Sequence, residues 1–147
     1  QGWRRAGHPD GFDLAALGVR DSKMLYSVKR ESLARKITSI ATDQYILEVR
    51  PEVIDELRQV MTMNEIMVRS FSQVVERLHA DRGVLDAADV NAERFARAVR
   101  NRCKSSMDLI AEHGADQRHR VVSAASILAK VRRDQSMRSW SRRCNAP

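Results

Sequence analysis

A chain of 147 residues with 43% apolar and 31% charged side chains has the material for one globular domain with a sizeable core. It contains no run approaching the roughly 20 apolar residues of a membrane helix and no charged start leading into an apolar signal stretch. Cys103 and Cys144, far apart and without a Cys-x-x-Cys pair, argue against both a disulfide framework and a zinc site.

The net charge of +7 gathers at the ends. Residues 1–36 hold eight Lys/Arg against four Asp/Glu, residues 130–147 six against one, and the stretch between them twelve against fourteen. Basic flanks suit a polyanion, because Lys and Arg displace condensed counterions from phosphates, whereas an acidic centre suits a divalent cation. A solvated basic surface accounts for the charge equally well. Opening on Gln1 rather than Met, the chain reads as an incomplete piece of a cytoplasmic protein.

Residues 1–18 include Gly2, Gly7, Pro9 and Gly11 without sustained periodicity and read as an irregular lead-in that turns helical at Asp13-Leu14-Ala15-Ala16-Leu17. From Ser27, a capping residue by type, to about Ala41, Leu33, Ile37 and Ile40 share one face, which predicts an amphipathic helix. Gln44 to Val49, rich in β-formers at Tyr45, Ile46 and Val49, reads as a strand, and Pro51 opens a helical turn through Leu57. Ile66, Met67, Phe71, Val74, Val75 and Leu78 recur at helical steps and predict a helix over about Asn64 to His79 with a buried face.

Gly83-Val84-Leu85 predicts a short buried strand leading into Asp86. Asn91 then caps a helix carrying Phe95 and Val99 to about Cys103. Met107 to Ala111 predicts another apolar strand, and a final helix starts near Val121 and runs past Val131 into the arginine-rich tail. Helices and strands thus alternate from residue 27, as in an α/β domain with strands packed between helices.

Chemistry concentrates in two acidic segments, Asp86-Ala87-Ala88-Asp89-Val90-Asn91 and Glu112-His113-Gly114-Ala115-Asp116. An aspartate at the end of a buried strand is costly unless water, a hydrogen bond or a cation satisfies it. Parallel neighbouring strands would bring Asp86 and Asp116 out at one sheet edge, where hard ions such as Mg²⁺ or Mn²⁺ take carboxylate oxygens. Turn formation or helix capping explains the same aspartates without any metal. Asp89, near a helix start, is accounted for by capping. His113 suits proton transfer or product release, and equally a solvated loop. Zinc held by His113, Asp116 and His119 lacks a fourth ligand. Ser123, Ala124, Ala125, Ser126 and Ala129 allow a helix to approach other backbone closely, with Lys130 presenting a cation to phosphate. Arg20-Asp21-Ser22-Lys23 offers a hydroxyl and cations in a loop.

Taken in order and spacing, Gly18-Val19-Arg20-Asp21-Ser22-Lys23, Asn64-Glu65, the run from Asp86 to Phe95 and the run from His113 to Lys130 resemble the archaeal branch of ribonuclease HII, the type 2 ribonucleases H. The similarity covers roughly residues 13–135. It divides the chain into the lead-in at 1–18, a partial catalytic domain at 19–136 and a basic tail at 137–147 that lies outside the resemblance. The fold it implies is α/β and ribonuclease H-like, a mixed sheet flanked by helices, incomplete for want of its first strands. The function it implies is a monomeric endonuclease that cuts the RNA strand of RNA·DNA hybrids, including single ribonucleotides embedded in DNA, and leaves 5′-phosphate and 3′-hydroxyl ends. A non-catalytic nucleic-acid-binding remnant of the same fold is the alternative.

By the same resemblance, the family's third and fourth catalytic carboxylates fall on Asp86 and Asp116, which would help to hold two divalent ions, Mg²⁺ or Mn²⁺. Asp21, Ser22 and Lys23 would line the substrate face, Lys130 would contact phosphate, and His113 would be accessory. The family's opening Asp-Glu-Ala-Gly-Arg-Gly strand has no match between Gln1 and Val19, and glycine stands at position 114 where lysine is common. Without its central strand the Gln44 to Val49 strand would expose unpaired backbone and apolar surface, so the chain alone is expected to be marginally stable or to aggregate. A sharp two-state melt with full α/β circular dichroism would count against that expectation.

Overall fold

The structure, a computed structural model, describes residues 27–145. Helix α1 (Ser27–Ile40) is followed by α2 (Pro51–Leu57), α3 (Met63–Arg77), β1 (Arg82–Asp86), α4 (Ala92–Arg102), β2 (Asp108–Glu112), α5 (Ala115–Arg118) and α6 (Arg120–Cys144). Among the described residues, no helix is long and apolar enough to cross a membrane.

The predicted face of α1 is realised: Leu33, Ala34 and Ile37 are buried against Ala124, Ile127 and Val131 of α6, with Ile40 packed at the margin. Ser123 and Ala124 are each 1% exposed, as expected where small side chains let a helix come close to its neighbours. Beyond Val131 the two helices stay joined by ion pairs, Arg30 to Asp134 at 3.7 Å and Arg138 to Glu31.

The strand expected at Gln44 to Val49 does not form; the segment has no ladder partner among the described residues. β-propensity is the capacity to fit a paired, half-buried surface, and without a neighbouring strand it yields no strand. Side chains hold the segment instead. The Arg77 guanidinium lies 5.6 Å from the centre of the Tyr45 ring, the His79 N–H donates to Asp43 at 3.4 Å, and Ser136 donates to Glu48.

Helix α2 begins as proline geometry dictates, with Pro51 in its first turn after an extended Arg50. Thr62 caps α3, its hydroxyl accepting the Glu65 N–H at 3.2 Å. Inside α3 the buried positions are Ile66, Val68, Ser72 and Val75. Ser72 returns its hydroxyl proton to the Val68 carbonyl at 2.7 Å, which makes it small and satisfied enough to face α4. Asn91 caps α4 as predicted, accepting the Arg94 N–H at 2.9 Å.

Strands β1 and β2 are parallel neighbours joined through α4, with Arg82 opposite Asp108, Val84 opposite Ile110 and Asp86 opposite Glu112. This two-stranded pairing is wholly parallel among the described residues. Phe95 and Val99 are fully buried in a second core with Val68, Val75, Leu85, Met107 and Leu109. Phe71 meets Phe95 edge to face, with ring centres 5.2 Å apart, a favoured arrangement of aromatic quadrupoles. Burial raises the Cys103 thiol pKa, so this cysteine behaves as a small core residue rather than as a nucleophile.

Candidate functional site

The shared register carries both acidic segments to one end of the sheet. Asp86 closes β1 directly opposite Glu112, which closes β2, and the Ala87 N–H extends the ladder one step by donating to the Glu112 carbonyl at 3.0 Å. From Glu112 the chain turns through Gly114, whose φ of 64° and ψ of 34° are left-handed, a conformation open to glycine and strained for a lysine. The turn opens α5, and the Ala115 N–H donates to Asp86 Oδ1 at 3.3 Å. That bond places the backbone beside Asp116 against the Asp86 carboxylate.

The two aspartates differ in setting. Asp86 is exposed, whereas Asp116 is 6% exposed and its carboxylate makes no hydrogen bond or ion pair among the described residues. A carboxylate that no described residue engages, on a largely buried aspartate next to a half-used one, offers hard oxygen donors of the kind a divalent cation takes. Glu112 is otherwise engaged: it pairs with His119 Nε2 at 3.0 Å and with Arg118 at 3.5 Å. No group of three or more His, Cys, Asp or Glu side chains poised for a metal exists among the described residues. The zinc arrangement fails on geometry, since His119 is turned to Glu112 and His113 to the Val90 carbonyl at 2.9 Å.

Asp89 proves to be a structural residue of the β1–α4 loop. It is 8% exposed, accepts the Asn91 N–H at 3.2 Å and receives Arg94 Nε at 2.8 Å. The Arg94 hydrogen bond, then the Asn91 N–H, hold its carboxyl at about 2, below the ordinary 3.8. A carboxylate depressed on folding contributes stability that is fully present above the unfolded value and is lost as pH falls through the folded one. Asp89→Asn is therefore expected to lower the urea midpoint at neutral pH, with the deficit shrinking as pH falls from about 4 towards 2. A deficit that persists unchanged at pH 3 would show that the ion pair is not its source.

The profile of the family described as Ribonuclease HII matches residues 8–146. The chain belongs to the ribonuclease HII family. Relatives in that family include the Ribonuclease HII of Methanothrix thermoacetophila, 61% identical over 129 residues that cover 88% of this chain and 61% of the relative. That of Pyrococcus furiosus is 45% identical over 126 residues, covering 84% and 55%. Among solved structures, the PCNA:RNase HII complex from Archaeoglobus fulgidus has a chain that superposes with a TM-score of 0.87 at 34% identity, covering 95% of this chain and 66% of that one. The ribonuclease H2 of Pyrococcus horikoshii gives 0.82 at 38% identity, covering 89% and 62%. The chain spans about three fifths of the length of the curated relatives it matches.

These likenesses bear out the α/β ribonuclease HII fold expected from the sequence. Within it, the Ala115 N–H beside Asp116 bonds Asp86 at the sheet end, and His113 reaches across to Val90. Lys130 stands ten residues along α6 from its first residue, a rise of roughly 15 Å, half-buried and engaged with its surroundings. Asp21, Ser22 and Lys23 lie outside the described residues. A depression of about 370 Å³ lined by Leu78, His79, Ala80, Asp81, Ser105 and Ser106 sits before both strands begin, away from the carboxylates. Two residues of the second acidic segment take roles that the sequence pattern does not assign: Ala115, through its N–H on Asp86, and Glu112, as the anchor of Arg118 and His119. For Glu112 the available signal was its place at the end of an apolar run, matching that of Asp86.

Proposed function

We propose that this ribonuclease HII chain carries half of a divalent-metal site for endonucleolytic hydrolysis of the RNA strand in RNA·DNA hybrids and of ribonucleotides embedded in DNA. The observation that carries the reading is the bond from the Ala115 N–H to Asp86, which draws Asp86 and the buried Asp116 to one sheet end. Asp86 and Asp116 hold Mg²⁺ or Mn²⁺, with the remaining carboxylates supplied by the strand that the family places first. When bound, such ions lower the pKa of the attacking water and offset charge on the leaving 3′ oxygen, giving 5′-phosphate and 3′-hydroxyl ends. The chain's own residues do the positioning. Ala115 orients one Asp86 oxygen, Lys130 contributes a cation for phosphate, and Asp21, Ser22 and Lys23 serve the substrate face.

The test is cleavage of a duplex bearing one ribonucleotide in Mn²⁺, by the chain itself and by the chain joined behind the N-terminal strand of the Methanothrix thermoacetophila relative. Cleavage is expected from the joined protein and its loss from Asp86→Asn. Steeply salt-dependent hybrid binding without cleavage in either protein would replace catalysis by the binding-remnant reading.

A further inference from the structure

We propose that His113 is a positioning residue: a clamp that joins the loop leaving Asp86 to the turn entering Asp116. Its Nε2 lies 2.9 Å from the Val90 carbonyl, across 23 positions of sequence. A carbonyl only accepts, so the proton resides on Nε2. Both the neutral Nε2–H tautomer and the imidazolium supply that proton.

The clamp adds a tie from the opposite segment to restraints that are mostly local to the loop. The Ala87 N–H ties the first residue of the loop to the Glu112 carbonyl at 3.0 Å. The Asp89–Arg94 pair and the Asn91 cap secure its far end. Val90 between them projects its side chain at 93% exposure, so its backbone gains no anchorage from side-chain packing. His113 holds that carbonyl from the opposite loop. The residues that follow His113 are the Gly114 turn, Ala115 with its N–H on Asp86, and Asp116 itself. The imidazole thus adds a third tie, beside those of Ala87 and Ala115, between the two segments that carry the carboxylates. The bond commits Nε2 to the carbonyl and leaves Nδ1 as the ring nitrogen open to other partners, so the clamp and proton transfer are told apart by substitution.

This inference rests on the metal-site reading for its consequence but not for its geometry, and the experiment separates the two. His113→Ala and His113→Gln are compared in the 147-residue chain by amide hydrogen exchange of residues 87–91 and by Mn²⁺-induced broadening of nearby resonances. Glutamine keeps an N–H donor at similar reach and cannot titrate. The alanine variant is expected to exchange roughly tenfold faster in 87–91, the scale of one net hydrogen bond, and to bind Mn²⁺ about tenfold more weakly. The glutamine variant should stay close to the unsubstituted chain in both. In the joined protein, alanine should lower kcat about tenfold, while glutamine keeps both kcat and the pH profile. Unchanged exchange in the alanine variant would overturn the clamp. A glutamine variant as impaired as alanine, with a limb of the pH profile lost, would overturn it in favour of proton transfer. Should neither protein bind Mn²⁺ nor cut, the metal-site reading fails, while the exchange comparison still decides whether His113 holds the loop.

Discussion

Asp116→Asn is expected to lower metal-dependent cleavage by the joined protein on the order of 10²–10³-fold, the scale for removing one preorganised charge-stabilising group, while leaving the melting temperature almost untouched. The two halves of that expectation have one cause. Asp116 is 6% exposed, yet its carboxylate bonds to no described residue, so amidation removes no hydrogen bond to any of them. With no described partner lost, the variant should melt close to the unsubstituted chain. What amidation removes is half of the negative charge and donor strength that the site offers to a cation. The checks are cleavage rates across a Mn²⁺ titration and a thermal melt in chelator. A large fall in melting temperature with chelator present would mean that Asp116 is a structural residue, and its assignment as a ligand would have to be withdrawn.

Phe95→Ala should show the opposite signature. Phe95 is fully buried, meets Phe71 edge to face at 5.2 Å and packs within a cluster that includes Leu85 and Leu109 from both strands. Truncation leaves a cavity that close-packed neighbours fill only in part, at a cost of about 3–5 kcal/mol. A domain has only about 5–15 kcal/mol in total, so the expected result is a collapse of the urea transition towards zero denaturant. The site should fail with it, because Leu85 immediately precedes Asp86. A variant that keeps its urea midpoint within measurement error would show that the second core does not hold the sheet.

These two residues mark the boundary between what local sequence reveals and what it does not. Phe95 was legible from helical periodicity after the Asn91 cap, and α1, α3, α4 and both strands of the pair were legible in the same way, because their apolar spacing and caps act over a few residues. The segment from Gln44 to Val49 departs from the strand its composition predicts for a physical reason. Its composition suits a strand, but a strand exists only through a neighbour, and the described residues provide none. Helix α5 escaped because four residues carry no measurable period.

The site divides along the same line. Sequence by itself determined which side chains are available: aspartates after two apolar runs, a histidine between them and a small-residue helix ending at Lys130, in an order that resembles ribonuclease HII. Only the tertiary structure decided that the runs pair in parallel with Asp86 level with Glu112, that Ala115 bonds Asp86, that Asp89 is consumed by Arg94 and that His113 reaches Val90. The physical reason is range. Capping and periodicity are written in steps of three or four residues, whereas the Asp86–Glu112 pairing, the Ala115–Asp86 bond and the His113–Val90 bond each span more than twenty and depend on how two segments meet at the end of a sheet.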